Sequence, residues 1–134
     1  MDEDERRGQL LRHWEFAGSD QDITHEIYAE DAVLEFPQSG ERFVGVASFK
    51  PWREQYPEPV EFRTVSLRGS GDLWVVENLI SYDGRPWQPT VNILEFRGDE
   101  VVRESIYITE TWEAPEWRAP WRDTTGGRGA HEES

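Results

Sequence analysis

Two carboxylates and one amide have the residue types and strand positions that proton-transfer chemistry requires. Glu77, Asn92 and Glu104 lie on three successive β segments that we expect to be antiparallel neighbours. We assign them to one face of the sheet, since alternate residues of a strand point to opposite faces. A carboxylate in an apolar enclosure loses hydration and becomes a better general acid or base. The pattern predicts that the glutamates share or move a proton while Asn92 holds a carbonyl oxygen.

A second interpretation places the same carboxylates on the surface. Charged side chains are seldom buried, and Glu77 and Glu104 can pair with Arg63, Arg85 or Arg103 on an exposed face or at a pocket rim. An error of one residue in the assigned register would exchange the two interpretations.

Apolar residues are expected to line a cavity around the three polar ones. The candidate lining residues are Trp14, Phe36, Trp52, Tyr56, Leu79, Leu94, Phe96, Ile106 and Ile108. Trp14, Trp52 and Tyr56 also fit a packed core between helices and sheet, so the cavity is either open or filled with side chains.

The histidines give no pattern of metal ligands. His13 and His25 lie on different helices and His131 lies near the C-terminus, so we predict no metal site. No phosphate-binding glycine loop occurs, and no cofactor is expected. His25 and Tyr28 have i, i+3 spacing on the predicted second helix; they either reach the cavity mouth or, as we favour, lie on a solvated face.

Composition limits the class of protein. The chain has 134 residues, with 14 basic and 28 acidic side chains and a net charge of −14, which disfavours nucleic acids and anionic membranes as partners. It contains no cysteine, and its N-terminus has neither an apolar signal segment nor a membrane span. We expect a cytoplasmic protein with one domain over residues 9–121, a loose acidic stretch over 1–8 and a disordered tail over 122–134.

Helical periodicity in the first half gives way to strands in the second. Apolar spacing predicts three helices, which carry Leu10, Trp14 and Ala17, then Ile23 and Ile27, then Phe49, Trp52 and Tyr56. Strand one is predicted to begin near Ala32. Glycine-containing turns then divide four long strands, at about 60–68, 73–82, 86–97 and 100–112. Long antiparallel strands curl, so we expect a curved sheet around the helices.

Two features favour a homodimer. Both faces of the second long strand are largely apolar, so helices cover one face and a second copy covers the other, unless exposed aromatics or the chain's own tail account for the pattern. Three tryptophans and two Ala-Pro steps lie within residues 111–121. We predict an extended arm whose indoles pack into grooves of the domain or of a partner subunit; a peptide-binding aromatic cage is the alternative.

Residues 27–37, Ile-Tyr-Ala-Glu-Asp-Ala-Val-Leu-Glu-Phe-Pro, run from a short helix into a strand that ends at a proline. This junction resembles that of the nuclear transport factor 2-like superfamily, in its SnoaL-like branch of polyketide cyclases and ketosteroid isomerase-like proteins. The resemblance covers about residues 10–121 and implies a cone-shaped α+β fold. In that fold three N-terminal helices pack on a strongly curved antiparallel sheet that surrounds a hydrophobic pocket.

The resemblance carries over only part of the known chemistry. The aspartate base of the isomerases corresponds to Phe36, their oxyanion-hole acid to Asn92, and their helix-one tyrosine to a position near Arg12 to Trp14, where no tyrosine occurs. The acidic positions of limonene epoxide hydrolase retain only Glu77. The closing strands lack the histidine of the cyclases, and their nearest carboxylate is Glu104.

Two functions remain open from the sequence. The first is a cofactor-independent isomerase, cyclase or hydratase that acts on an apolar carbonyl compound through Glu77, Asn92 and Glu104. The second is a non-catalytic protein that binds a hydrophobic small molecule or serves as a dimeric accessory module.

Overall fold

The computed structural model describes residues 1–123, which form helices and one sheet. The helices are α1 (Glu3–Phe16), α2 (Gln21–His25) and α3 (Val46–Glu54). The strands are β1 (Tyr28–Phe36), β2 (Glu41–Val44), β3 (Val60–Ser70), β4 (Leu73–Tyr82), β5 (Gln88–Arg97) and β6 (Glu100–Ile108), and a 3-10 helix spans Glu116–Trp121. Within this part of the chain no helix has the length and apolar character needed to cross a bilayer.

The six strands form one curved, open sheet in the order β2-β1-β6-β5-β4-β3. The prediction of an α+β architecture of this family is confirmed. One detail of the antiparallel sheet is corrected, since β1 pairs with β6 in parallel. Hairpin signals set the direction of strands joined by short turns, but β1 and β6 are far apart in the sequence, so no turn determines their relative direction.

The hydrophobic core lies between the helices and the inner face of the sheet. Leu10 and Trp14 of α1 and Phe49 of α3 pack in one cluster with Trp74 of β4 and Leu94 of β5, and all five are buried. The helical residues recur at the spacing that keeps one face of each helix apolar. This face holds the helices over the sheet and encloses the site described below.

Helix α1 begins at Glu3, inside the stretch that was predicted to be loose. Asp2 caps the helix by accepting a hydrogen bond from the Glu5 amide at 2.8 Å. Arg6 is buried, stacks 3.6 Å from the centre of the Phe96 ring and donates to the Gly98 carbonyl oxygen at 2.9 Å. The first turn is therefore held by an N-cap and by one long side chain, neither of which adds to the apolar periodicity of the sequence.

The junction between α2 and β1 also lies earlier than predicted. Helix α2 ends at His25, and β1 begins at Tyr28 rather than near Ala32. Tyr28 and His25 are both buried, so the favoured prediction of a solvated helical face is wrong for them. Tyr28 belongs to a strand rather than to a helix, and its side chain is buried in the domain.

The three indoles of the Trp segment, residues 112–121, are exposed to solvent. Trp112, Trp117 and Trp121 have exposed fractions of 72%, 72% and 79%. The prediction that these indoles fill grooves of the same domain is thus wrong, and packing on a partner stays a prediction. The predicted loose tail falls mostly on residues 124–134, which lie outside the described part of the chain.

The outer face of the sheet combines apolar side chains with ion pairs. Leu73 and Tyr107 are exposed there, and Val75, Val91 and Ile93 are half-buried. Cross-strand pairing places these side chains on one face, since Val75 is opposite Ile93 and Val91 is opposite Tyr107. This face is therefore open to solvent around Leu73 and Tyr107.

Candidate active site

A cavity of about 470 Å³ lies between the helices and the inner face of the sheet. Aromatic and aliphatic side chains form much of its wall: Trp14, Phe36, Trp52, Tyr56, Phe62, Ile80, Tyr82, Ile106 and Ile108. Polar side chains are fewer and include His13, Thr24, Arg53, Thr90, Asn92 and Glu104. A largely apolar cavity of this size with a few convergent polar groups is typical of a small-molecule site.

Glu104 of β6 places a carboxylate in the cavity wall with an exposed fraction of only 1%. Its Oε2 accepts a hydrogen bond from Asn92 Nδ2 at 2.7 Å, and its Oε1 accepts one from the Tyr28 hydroxyl. Asn92 shares the inner face because its cross-strand partner is Ile106, two residues along β6 from Glu104. Strand pairing therefore assembles a carboxylate held through both of its oxygens.

Tyr28 links Glu104 to a cation. Its hydroxyl donates to Glu104 and accepts from Arg53 Nη1 at 3.1 Å. Burial raises the pKa of Tyr28 above its ordinary range, and the negative charge of Glu104 acts in the same direction. The phenol therefore stays protonated at neutral pH and acts as a hydrogen-bond donor to the carboxylate.

Asn92 orients the carboxylate rather than standing free in the cavity. One of its Nδ2 hydrogens goes to Glu104, and Thr90 Oγ1 lies 3.5 Å from Asn92 Oδ1 as a donor to it. An amide nitrogen has two hydrogens, so one remains for another acceptor.

Two buried histidines are neutral in this site. His13 Nδ1 donates to the Thr24 carbonyl oxygen at 2.8 Å, and His25 Nδ1 donates to the Gln21 carbonyl oxygen at 2.6 Å. Burial lowers the pKa of His13 to about 3, helped by the nearby charge of Arg53. Burial likewise lowers the pKa of His25 to about 4. Each ring is uncharged at neutral pH and has its lone pair on Nε2.

Glu77, the third predicted member of the site, lies elsewhere. On β4 it is paired with Val91, and its carboxylate forms an ion pair with Arg68 at 2.9 Å on the outer face. Val76, not Glu77, is the cross-strand partner of Asn92. The assigned parity of β4 was one residue off, because the stretch between β4 and β5 does not reveal which residues face each other. Glu77 and Glu104 therefore do not approach each other.

The predicted lining residues divide in the same way. Trp14, Phe36, Trp52, Tyr56, Ile106 and Ile108 line the cavity. Leu94 and Phe96 point to the same side of the sheet but are buried in the core cluster. Leu79 shares the outer-face parity of Glu77, although it is buried.

Three site residues were missed by the sequence analysis: His13, Tyr28 and Arg53. Tyr28 was assigned to the second helix rather than to β1. Arg53 has no distinguishing signal in the sequence, because it is a charged residue beside Trp52 on an amphipathic helix. His13 had a detectable signal, since it falls in the stretch Arg12 to Trp14 that corresponds to the isomerase tyrosine. Among residues 1–123, no group of three His, Cys, Asp or Glu side chains is arranged to hold a metal ion.

No protein-family model and no curated protein matches this chain. A solved NTF-2-like protein of unknown function from Burkholderia xenovorans LB400 is 39% identical with a TM-score of 0.86, covering 92% of this chain and 98% of that chain. A Kribbella flavida protein, provisionally assigned as a ketosteroid isomerase, is 21% identical with a TM-score of 0.80 and 92% coverage of each chain. A Sinorhizobium meliloti protein, provisionally assigned as a polyketide cyclase, is 18% identical with a TM-score of 0.64, covering 74% of this chain and 93% of its own. The last two share the fold alone.

Proposed function

The chain belongs to the nuclear transport factor 2-like superfamily, and we propose that its cavity binds an apolar carbonyl compound and moves a proton on it without a cofactor. The observation that carries the proposal is the buried carboxylate of Glu104 in the wall of an otherwise mostly apolar cavity. Burying a carboxylate is unfavourable unless it is hydrogen-bonded, and two side chains, Tyr28 and Asn92, donate to this one. A fold that needed only a packed core would be as stable with an apolar residue here.

The proposed reaction is of the isomerase or cyclase type. Glu104 accepts a proton from the carbon next to the carbonyl group, and the electron pair of the broken C–H bond moves toward the carbonyl oxygen. The remaining Nδ2 hydrogen of Asn92 donates to that oxygen as it gains charge. The proton then returns from Glu104 to another carbon. Alternatively, the carbanion forms a bond to a second carbonyl carbon in the same molecule, and the oxygen of that group gains the electron pair and takes the proton from Glu104. Tyr28 keeps the carboxylate in position throughout.

A non-catalytic binding protein is the second candidate. Both oxygens of Glu104 already accept hydrogen bonds from the protein, so the carboxylate has partners without any substrate. In this case the same wall would orient a hydrophobic ligand without changing its bonds.

Binding can be tested by thermal shift with a panel of apolar ketones that includes 2-tetralone and a steroid ketone. A ligand at a hundred times its Kd stabilises the folded protein by about 2.7 kcal/mol, which raises Tm by several degrees. We expect the shift to change in Glu104→Gln and to persist in Glu77→Gln, which makes the same substitution on the outer face. No shift with any ketone, or the same shift in all three proteins, would argue against the proposed site.

We also propose that two copies associate through the outer face of the sheet and the Trp segment. Each buried tryptophan removes roughly 150–250 Å² from water, so three indoles from each of two copies reach the size of a specific interface. The apolar residues Leu73, Val75 and Tyr107 offer a surface for them on the same chain.

A further inference from the structure

We propose that one edge of the Arg53 guanidinium, formed by Nε and Nη2, binds a carboxylate of the ligand, so that the cavity selects apolar carbonyl compounds that are also acids. This inference rests on the proposed function, because it assumes that the cavity takes a small molecule.

Arg53 is held in a fixed position beside the cavity. Its Cζ lies 5.6 Å from the ring centre of Tyr28, 5.3 Å from that of Phe49 and 5.8 Å from that of Trp52. Nη1 donates to the Tyr28 hydroxyl at 3.1 Å and contacts His25 Nε2 at 3.3 Å. The His25 contact is a donation from Arg53, since the His25 proton is on Nδ1. A guanidinium that is already ordered loses little entropy when a ligand binds.

The contacts of Nη1 leave the other edge of the guanidinium available. Nη1 has two hydrogens, and these two contacts use both. Among the residues that the structure describes, neither Nε nor Nη2 of Arg53 has a hydrogen-bond partner, and Arg53 forms no ion pair within 4.0 Å. Neither Nε nor Nη2 is among the fully buried polar atoms that lack a partner, so both atoms are accessible. Arg53 itself lines the cavity. Nε and Nη2 together present two parallel N–H groups, the geometry that a carboxylate accepts from both of its oxygens.

The charges around the cavity determine which ligands Arg53 can bind. Glu104 is joined to Arg53 through the neutral Tyr28 hydroxyl rather than by direct contact, so no carboxylate of the described residues lies against the guanidinium. Two acidic residues, Glu54 and Glu58, also line the cavity, and Glu58 is paired with Arg85. The net charge of −14 opposes the approach of an anion, but salt screens it beyond about 8 Å at physiological ionic strength. The short contact with Arg53 is screened much less.

A matched acid and ester test the inference. We would measure Kd by calorimetry for 2-naphthoate and for its methyl ester, which has the same ring system but no charge. The wild type should bind the acid about 10- to 100-fold more tightly than the ester. Arg53→Lys keeps a positive charge but loses the paired N–H edge, so most of this preference should disappear, and Arg53→Gln should abolish it. Arg68→Gln, which removes an arginine from the outer face of the sheet, is the control and should keep the preference.

The outcomes separate this inference from the proposed function. If the ester binds as tightly as the acid while ketones still bind in a Glu104-dependent manner, the role of Arg53 is wrong and the proposed function stands. If Arg53→Lys keeps the full preference for the acid, the role of the paired edge is likewise refuted, even when Arg53→Gln fails to fold. If neither naphthalene compound nor any ketone binds, both proposals fail.

Discussion

At the scale of single residues, Glu104 depends on its neighbours to remain buried. The two side chains that donate to it, Tyr28 and Asn92, come from β1 and β5, the two strands that flank β6 in the sheet. Hydrogen bonds to charged groups are stronger than those between neutral groups, and the loss of one partner leaves a buried charge incompletely solvated. Loss of the Tyr28 hydroxyl would have the larger effect, because this hydroxyl also accepts a hydrogen bond from Arg53.

Tyr28→Phe should lower the free energy of unfolding by about 1–3 kcal/mol, since it leaves both a Glu104 oxygen and an Arg53 hydrogen without their partner. Urea denaturation measures this directly. Tyr56→Phe removes the same hydroxyl from an exposed ring and should stay within about 0.5 kcal/mol of the wild type. Equal stability of Tyr28→Phe and wild type would show that the network contributes nothing to folding.

The buried histidines predict a loss of stability in weak acid. Their pKa values are about 3 for His13 and about 4 for His25 in the folded protein, against 6.5 in the unfolded chain. As pH falls below about 6.5, the unfolded state binds protons that the folded state does not, so the free energy of unfolding decreases. The slope approaches about 1.4 kcal/mol per pH unit for each histidine.

Urea denaturation at several pH values between 7 and 5 should show this slope, and His13→Gln should reduce it by about one proton. Asp2 and Asp22 also have lowered pKa values, but they titrate below their ordinary value of 3.8 and do not contribute in this range. A free energy of unfolding that is constant from pH 7 to 5 would contradict the neutral, buried state of the histidines.

The same residues mark the limit of prediction from the sequence. Asn92 and Glu104 could be placed together, because the β5–β6 hairpin is joined by the short Gly98-Asp99 turn, which fixes the pairing of the two strands. Glu77 could not be placed, because a longer stretch joins β4 to β5 and a shift of one residue reverses the face. Tyr28 and Arg53 join the site through contacts between distant parts of the chain, which no local pattern encodes.

At the scale of elements, close approach of α1 to β3 closes one side of the cavity. Gly18 follows α1 and lines the cavity, and a Cβ atom there would lie 2.1 Å from the Val60 carbonyl oxygen. This contact is with backbone, so a rotamer change cannot relieve it. The sequence predicted that Gly18 ends the helix, but not that it contacts the first residue of β3, since no periodic pattern reports such a distance.

Gly18→Ala should therefore destabilise the protein by about 1–3 kcal/mol, because α1 must move away from β3. Gly8→Ala is the matched control: it lies within α1 with no atom within 4 Å of the added Cβ, and it should stabilise the helix by up to about 1 kcal/mol. Unfolding in urea would compare both variants with the wild type. A neutral or stabilising effect of Gly18→Ala would mean that α1 and β3 are not in close contact.

At the scale of the whole molecule, the chain has two exposed apolar surfaces: the Trp segment and the outer face of the sheet. The three tryptophans of the Trp segment are highly exposed, and Leu73 and Tyr107 are exposed on the outer face of the sheet. The unusual composition of the Trp segment was evident from the sequence. Its position relative to the domain was not, because the prolines at 115 and 120 restrict its backbone without specifying what its indoles contact.

Sedimentation velocity should give a mass of twice 15.7 kDa for the wild type, which corresponds to two copies of the chain. Tyr107→Glu, on the outer face, should shift the protein toward the monomer because it places a charge in the proposed interface. Leu11→Glu, which alters an exposed residue of α1, should remain dimeric. A monomeric wild type at micromolar concentrations would rule out the proposed association.

The central claim, that Glu104 moves a proton on a bound carbonyl compound, is tested most directly by hydrogen–deuterium exchange. NMR would follow the exchange of the protons next to the carbonyl group of 2-tetralone in D2O, with and without protein. We predict that the wild type and Glu77→Gln accelerate exchange, and that Glu104→Gln loses about 100-fold or more of this acceleration. Equal acceleration by the wild type and Glu104→Gln, or none in a protein that binds the ketone, would contradict the claim.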